Sequence, residues 1–368
     1  MPGLLSFLGN GIKYHLSGRL YTPKPRRMTI NITRRCNGRC VMCPNWKEQH
    51  IEKELTPGEI REVLSNPLFD SLESVSLGGG EPTMREDLAE VTEIILESQP
   101  KIKVFDITTN GLEPLIVMQR VHDIIRLTVD SAVEFAVAVS LDGYGATHDK
   151  IRGVAGAFDK VNETIRLLKE LSKEAPFSIC LNCVVQPLNI GELRQLYGFA
   201  QEMELPIHFI PIYVNPWLLD NTDDKQLVTF RPEQIEEIKL FFSNPQYDIS
   251  PIWKACWQDH LRVIGGEKRR FPCALLRHHS FLDTDGSMFI CWADESLVYG
   301  NVRDAPADSI WYSAAAKSAR QRAKAMYCAD CTQSWDPALA VRLEFFHFTR
   351  FLIKEEGRKL LRRRPQMR

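Results

Sequence analysis

The chain has 368 residues, of which 25% are charged and 44% hydrophobic, and its formal net charge is −1. This composition is typical of a soluble globular protein with one large and one smaller domain, and the near-neutral charge argues against a protein that binds polyanions as a whole. No secretory signal pattern and no apolar run of roughly 20 residues is present, so we expect a cytoplasmic protein whose ten cysteines are reduced or bind metal.

Residues 1–27 form a predicted N-terminal amphipathic segment. Its leucine, isoleucine and phenylalanine side chains approximate one helical face, and Pro23 and Pro25 end any helix before the first strand. We interpret this segment as a helix packed on the core. The alternative is a helix that lies in the plane of a membrane surface.

Residues 28–215 alternate between predicted strands and predicted helices. The predicted strands are Met28–Ile32, Ser74–Leu77, Val104–Thr108, Glu134–Leu141, Ser178–Val185 and Ile207–Tyr213. The predicted helices between them are Thr56–Ser65, Glu86–Ser98, Ile116–Arg126, Phe158–Lys173 and Gly191–Met203. Six such units predict an α/β fold with a parallel sheet and crossover helices, which either a doubly wound sheet or a barrel would provide.

Three cysteines follow the first predicted strand with the spacing C-x3-C-x2-C: Cys36, Cys40 and Cys43. A structural zinc site closes with four ligands, and a cubane iron–sulfur cluster usually takes four cysteines. Three thiolates on a cluster therefore leave one iron open for a further ligand. The alternative interpretation is a zinc knuckle or a set of buried thiols.

Polar motifs follow the next three predicted strands. Gly79, Gly80 and Glu81 follow the second, Asn110 follows the third, and the run 140–153 follows the fourth. Glycines at a strand end let the backbone approach a ligand, and a carboxylate beside them can accept from an ammonium group. Asn-Gly and Asp-Gly are also turn signals. At the carboxyl ends of parallel strands, these motifs fit catalysis on one face of a barrel.

The cysteine loop, followed about 35 residues later by the Gly79–Glu81 motif, resembles the radical S-adenosylmethionine (SAM) superfamily. The resemblance selects a partial (β/α)6 TIM-like barrel. It implies a [4Fe–4S] cluster on Cys36, Cys40 and Cys43, with SAM on the open iron. It also implies an electron donor such as flavodoxin or ferredoxin, and reductive cleavage of SAM to a 5′-deoxyadenosyl radical.

The same resemblance implies a set of residues that contact SAM. They are Met42, Gly79, Gly80, Glu81, Asn110, Ser140 and Arg152. In this interpretation Glu81 accepts from the amino group of SAM, and Arg152 meets the carboxylate with bidentate geometry. Asp142 would face the substrate, and the candidates for a catalytic base are Arg152, Asp142, His208 and Tyr213.

Residues 216–268 form a predicted bridging segment with loops around one helix, and residues 269–335 form a small cysteine-bearing α+β domain. The cysteines of this domain are Cys273, Cys291, Cys328 and Cys331. Asp285 and Gly286 predict a hairpin turn between the first two. Four thiolates in two pairs could hold either zinc or a [4Fe–4S] cluster.

The spacing C-x12-G-x4-C followed by C-x2-C resembles the SPASM/twitch extension of radical SAM enzymes. No cysteine follows Cys331, which matches the shorter twitch form with one auxiliary [4Fe–4S] cluster on the four cysteines. We interpret Cys180, Cys183 and Cys256 as structural, with Cys256 as the substitute ligand if this assignment fails.

Residues 336–368 form a predicted amphipathic C-terminal helix with a basic end. We interpret it as docked on the barrel, with peripheral membrane contact as the alternative. No nucleic-acid motif accompanies its arginines.

A closed second cluster suits electron transfer, so we expect hydrogen abstraction from an unactivated carbon followed by oxidation of the substrate radical. The expected substrate is a small molecule such as a sugar or cyclitol. The alternatives are a lipid or lipid-linked substrate and a peptide, although 27 residues before the barrel are too few for a peptide-gripping module.

Overall fold

The computed structural model describes residues 22–47, 53–213, 225–244, 246–271, 273 and 275–332. The strands, named β1 to β9 in chain order, are Arg27–Thr33, Ser74–Gly79, Val104–Thr109, Glu134–Ser140, Ser178–Val185, Ile207–Pro211, His279–Leu282, Ser287–Phe289 and Val298–Asn301. The helices, named α1 to α11, are Pro57–Leu64, Leu88–Ser98, Pro114–Thr128, Ala146–Arg152, Ala157–Leu171, Leu193–Glu202, Pro232–Ser243, Pro251–Ile264, Leu275–His278, Ala307–Trp311 and Ala314–Met326.

The strands form one sheet in the order β6-β5-β4-β3-β2-β1-β7-β8-β9. Strands β1 to β6 are parallel and follow their chain order, so every crossover moves one place in the same direction. Right-handed crossovers then put their helices on the same face of the sheet. A doubly wound sheet would reverse its order at a switch point, and this sheet does not. The predicted unclosed partial barrel is therefore confirmed.

Strand β4 illustrates how alternation separates the two faces of the sheet. Phe135, Val137 and Val139 are almost fully buried in the main hydrophobic core. Because successive side chains point to opposite faces, Ala136 and Ser140 lie on the inner face of the barrel. The helices thus cover an apolar face, while the inner face carries smaller side chains.

The inner face continues this pattern across the sheet. Thr29, Ser76, Asp106 and Ala136 share one register row through strands β1 to β4. A complete TIM barrel fills its interior with bulky branched side chains. This row of the partial barrel carries small and polar side chains instead.

The cysteine-bearing C-terminal region extends the barrel sheet. Strand β7 pairs in parallel with β1, and β8 and β9 follow as antiparallel strands. Thr29 Oγ1 lies 2.8 Å from His279 Nε2, and Asn31 Nδ2 donates to Asp283 Oδ1 at 3.0 Å. The predicted Asp-Gly turn is present, with Gly286 at φ +89°.

Two helices arise where the sequence patterns predicted loops. Helix α4 has only seven residues and ends at Gly153, which adopts a left-handed conformation, so it is too short for a clear apolar period. Helix α8 begins at Pro251 behind the cap Ser250, whose side chain accepts from the backbone. A proline at the first helical position is a start signal as well as a loop signal.

Some predictions fall on residues that the structure does not describe. Three segments lie outside the described residues: 336–368, 1–21, and 214–224, which covers the end of the predicted barrel and the start of the predicted bridge. The membrane-contact interpretation of both termini therefore also lies outside them. Within the described residues, no helix is both long and apolar enough to cross a membrane.

Candidate active site

The loop after β1 brings Cys36, Cys40 and Cys43 together at the carboxyl end of the sheet, and none of them forms a disulfide. The backbone N–H groups of Arg39 and Val41 donate to carbonyls at the end of α4, at 2.8 and 2.9 Å. The helix end thus fixes the loop on both sides of its second cysteine, Cys40.

Two of the three thiols converge over a glycine. A Cβ atom on Gly38 would lie 3.5 Å from Cys40 Sγ and 3.8 Å from Cys36 Sγ. The same position lies 3.7 Å from Asn110 Nδ2. The site therefore leaves open the space that a group bridging the two thiols would need.

Burial disfavours the thiolate form of these cysteines. It raises the pKa of Cys36 to about 12 and that of Cys43 to about 11, and it also raises the pKa of Cys40. Buried thiolates form when a metal supplies the compensating positive charge. The donor set therefore fits an iron–sulfur cluster.

The glycine motif packs directly on the cysteine loop. Gly80 N–H donates to Thr33 O, and Glu81 N–H donates to Arg35 O, both at 2.7 Å. A Cβ atom on Gly80 would overlap the carbonyl of Arg35, and Gly79 has φ +112°. Glycine is thus required for the close approach of these two loops.

Glu81 is 2% exposed, and its carboxylate is occupied by protein donors. It accepts from the Thr83 hydroxyl at 2.6 Å and N–H at 3.2 Å, from Thr109 Oγ1 at 2.8 Å and from Asn110 N–H at 2.6 Å. Burial raises its pKa, and these hydrogen bonds oppose the rise. The side chain joins the ends of β2 and β3, and its predicted contact with SAM stays a prediction.

The structure brings Arg152 and Asp142 together beside the cysteine loop. Arg152 Nη2 lies 2.6 Å from Asp142 Oδ2, and Arg152 Nη1 donates to Cys40 Sγ at 3.6 Å. Asp142 Oδ1 accepts from Val184 N–H at 2.7 Å. Both ionic side chains are thus held by protein partners, and their predicted roles toward SAM and substrate stay predictions.

Two further residues support this ion pair. His148 Nδ1 accepts from the Asp142 N–H at 3.1 Å, and burial lowers the pKa of His148 to about 3, so its ring is neutral. Asn189 Nδ2 donates to the carbonyls of Asp142 and Val184, at 2.7 and 2.8 Å. Sequence analysis did not single out Asn189, although it lies in the loop just past a predicted strand, as the other motifs do.

Met42 and Ser140 lie at the rim of the inner face. Met42 packs against the cluster of Ile212 and Val228, near the end of β6. Ser140 shares a register row with Asn182 and His208.

The remaining base candidates lie in different surroundings. Burial lowers the pKa of His208, and its ring stacks on Trp253 with centroids 5.5 Å apart. Tyr213 instead lines the cavity of the C-terminal cysteines.

The four C-terminal cysteines line a single cavity together with five apolar or aromatic residues. The lining residues are Cys273, Cys291, Cys328, Cys331, Tyr213, Leu275, Leu276, Trp292 and Tyr327. Among the described residues, no three His, Cys, Asp or Glu side chains are arranged around a single metal ion. Four thiols around one cavity are the donor set that a [4Fe–4S] cluster takes.

The other three cysteines do not line this cavity. Cys183 is fully buried, Cys256 is 4% exposed on α8, and Cys180 lies on the opposite face of β5 from Cys183.

Comparison with known families gives two matches. Residues 30–200 match the model described as Radical SAM superfamily, and residues 273–332 match SPASM, an iron–sulfur cluster-binding domain. These ranges contain the two groups of cysteines described above.

Among curated proteins, the AdoMet-dependent heme synthase of Methanosarcina barkeri is 26% identical over 315 residues, which are 80% of this chain and 84% of the relative. The GTP 3',8-cyclase of a Synechocystis strain is 31% identical, but the match spans only 52% of this chain and 55% of the cyclase. Among solved structures, Streptococcus suis SuiB bound to S-adenosylmethionine has a TM-score of 0.57 at 15% identity, over 86% of this chain and 74% of SuiB. At that identity, the likeness concerns the fold alone.

Proposed function

The chain belongs to the radical SAM superfamily and carries a SPASM/twitch iron–sulfur domain, and from this premise we propose that it dehydrogenates a small hydroxylated molecule. The two domains imply a SAM-binding [4Fe–4S] cluster and an auxiliary iron–sulfur cluster, as predicted from the sequence. When bound, the first cluster and SAM supply the 5′-deoxyadenosyl radical that removes a hydrogen atom from an unactivated carbon.

Different residues around the cysteine loop would bind the cluster and SAM. Cys36, Cys40 and Cys43 would hold the cluster, and Arg152 donates to one of these thiols. Because the Glu81 carboxylate already accepts four hydrogen bonds, we propose that backbone carbonyls of the glycine motif receive the amino group of SAM.

The observation that carries the substrate assignment is the composition of the inner face. Several side chains that point toward the sheet interior carry hydrogen-bonding groups: Thr29, Ser76, Asp106, Thr108, Ser140, Asn182 and His208. Hydroxyl and amide side chains provide both donors and acceptors, as a polyol or sugar requires. An apolar substrate would leave these groups unsatisfied, at a cost of about 1–3 kcal/mol each.

His208 is our candidate for the base. It shares a register row with Ser140 and Asn182, and burial lowers its pKa, which favours the neutral ring that can accept a proton. In the proposed reaction, a carbon that bears a hydroxyl group would lose its hydrogen atom, and the hydroxyl on that same carbon would give its proton to His208. The remaining electron would be accepted by the cluster that the four C-terminal cysteines would hold, which leaves a carbonyl group.

The test is a panel of sugars, cyclitols and aminocyclitols incubated with anaerobic, reconstituted protein, SAM and a reductant. We expect one class to stimulate 5′-deoxyadenosine formation and to yield a product lighter by two hydrogen atoms in mass spectrometry. His208→Gln should keep SAM cleavage and lose product. A panel in which no compound stimulates cleavage would contradict the proposal.

A tetrapyrrole is the second candidate substrate, because a heme synthase relative matches over 84% of its length. A tetrapyrrole presents several carboxylates, and the buried Asp106 on the inner face would repel them. A shift of the porphyrin absorption band on titration with the protein, together with no response to any polyol, would favour this candidate.

The lipid and peptide alternatives lack such support. The lipid alternative depends on segments outside the described residues, and liposome sedimentation tests it directly. The peptide alternative draws on the likeness to SuiB, which extends to the fold alone.

A further inference from the structure

Tyr213 joins the barrel to the auxiliary cysteines. It lies two residues beyond the end of β6 and lines the cavity of the four C-terminal cysteines. Its side chain lies beside the Cys331 thiol in this cavity. Next to this contact, Thr332 Oγ1 donates to the Ile212 carbonyl at 3.1 Å. Two adjacent residues of the barrel thus hold the last two described residues of the auxiliary region.

The same segment also contacts the first cysteine loop. Met42, between Cys40 and Cys43, packs against the apolar cluster that contains Ile212. The chain of contacts from Met42 through Ile212 and Tyr213 to Cys331 therefore connects the two cysteine sites through the end of one strand.

We propose that Tyr213 is a positioning residue for the auxiliary cluster. Its hydroxyl donates a hydrogen bond to the sulfur of Cys331, which fixes Cys331 and raises the reduction potential of the cluster. A hydrogen bond to a ligating sulfur stabilises the reduced cluster, because reduction adds negative charge to the sulfurs. A higher potential suits a cluster that accepts an electron from a substrate radical. The inference thus rests on the proposed function and assigns a residue to its electron-accepting step.

Tyr327 offers a matched control. It lines the same cavity, but its hydroxyl donates to Asp294 Oδ2 at 2.9 Å. Tyr213→Phe and Tyr327→Phe each remove one hydroxyl from the cavity wall, and only the first removes the donor that we propose for Cys331.

The experiment is a redox titration of the full-length, reconstituted protein, followed by electron paramagnetic resonance of the auxiliary cluster. Tyr213→Phe and Tyr327→Phe are each also introduced into a Cys36→Ala, Cys40→Ala, Cys43→Ala background. This background removes the first cluster, so the remaining signal is that of the auxiliary cluster. At the wild-type midpoint, Tyr213→Phe should lower the ratio of reduced to oxidised cluster by about tenfold, which is about 59 mV for a one-electron couple. Tyr327→Phe should leave the midpoint unchanged, and equal midpoints in both variants would overturn the inference.

Iron counting separates this inference from the proposed function. About four irons per wild-type chain would show that the auxiliary cluster is absent and would overturn the proposed function as well. About eight irons, together with an unchanged midpoint potential in Tyr213→Phe, would overturn only the role of Tyr213. If Tyr213→Phe loses the cluster while Tyr327→Phe keeps it, at equal helicity by circular dichroism, the positioning role is supported. Loss of the cluster in both variants would contradict it.

Discussion

Arg152 Nη2 lies 2.6 Å from Asp142 Oδ2, and the same guanidinium donates to Cys40 Sγ at 3.6 Å. Both ionic side chains are almost completely buried. The buried cation beside Cys40 lowers the pKa of its thiol, whereas the Asp142 carboxylate raises it. The pair therefore couples the stability of the fold to the chemistry of the cysteine loop.

Asp142→Asn should destabilise the protein strongly, because it leaves the charge of Arg152 buried without its carboxylate. We expect the free energy of unfolding of the metal-free protein in urea to fall by about 3–5 kcal/mol. The control is Glu113→Gln, which breaks the half-exposed pair of Glu113 and Lys160 at 3.7 Å and should cost less than about 1 kcal/mol. Equal effects of the two substitutions would contradict the role of the buried pair.

Gly80→Ala should prevent assembly of the first cluster. The added Cβ would overlap the backbone carbonyl of Arg35, so the glycine motif and the cysteine loop could not keep their contact. We expect loss of about half of the iron and of SAM cleavage in the reconstituted protein. Gly191→Ala is the control, because a Cβ there meets no atom within 4 Å, and it should retain full iron content.

A surface contact between the barrel and the auxiliary region should make the free energy of unfolding depend on pH in the acid range. Arg303 Nε donates to Glu59 Oε1 at 2.7 Å, and chiefly this hydrogen bond lowers the pKa of Glu59 to about 2. The unfolded chain, with a glutamate pKa of about 4.3, binds the proton first, so the contribution is present above about pH 4 and lost toward pH 2.

Glu59→Gln should therefore lower the free energy of unfolding by about 1 kcal/mol at pH 7, a value reduced for solvent screening of this partly exposed pair. The difference between the variant and the wild type should vanish near pH 2. Denaturant unfolding at several pH values between 2 and 7 measures it. A difference that is constant with pH would show that the Arg303 contact does not set the pKa of Glu59.

Local sequence patterns predicted the parts of the fold that local physics controls. The strand Ser178–Val185 has the predicted bounds, and α1 spans Pro57–Leu64 where the sequence predicted a helix over Thr56–Ser65, because alternation and helix start signals act over a few residues. The parallel pairing of β7 with β1 was not predicted. It joins residues about 250 positions apart, such as Thr29 and His279, and no local pattern records such a partner.

The same limit applies to the candidate site. The cysteine spacings predicted which thiols come together at the auxiliary cavity, since each pair is held within a short stretch of chain. The partners of Glu81 and Tyr213 could not be predicted, because the three-dimensional packing decides whether a polar side chain at a strand end faces a ligand or another part of the protein. Glu81 accepts a hydrogen bond from Thr109 at the end of β3, and Tyr213 lies beside Cys331.

Cys291→Ser should remove the auxiliary cluster and leave the first cluster intact. Cys291 lines the auxiliary cavity, whereas Cys256 is buried on α8 outside its lining, so Cys256→Ser is a matched control. We expect iron to fall from about eight to about four per chain in Cys291→Ser only. SAM cleavage should continue, because the loop of Cys36 is untouched, while oxidation of the substrate should stop. Metal analysis of anaerobic protein measures the iron. Loss of iron in Cys256→Ser would make Cys256 a ligand, and about four irons plus one zinc in the wild type would contradict the electron-accepting role, because zinc has no redox chemistry.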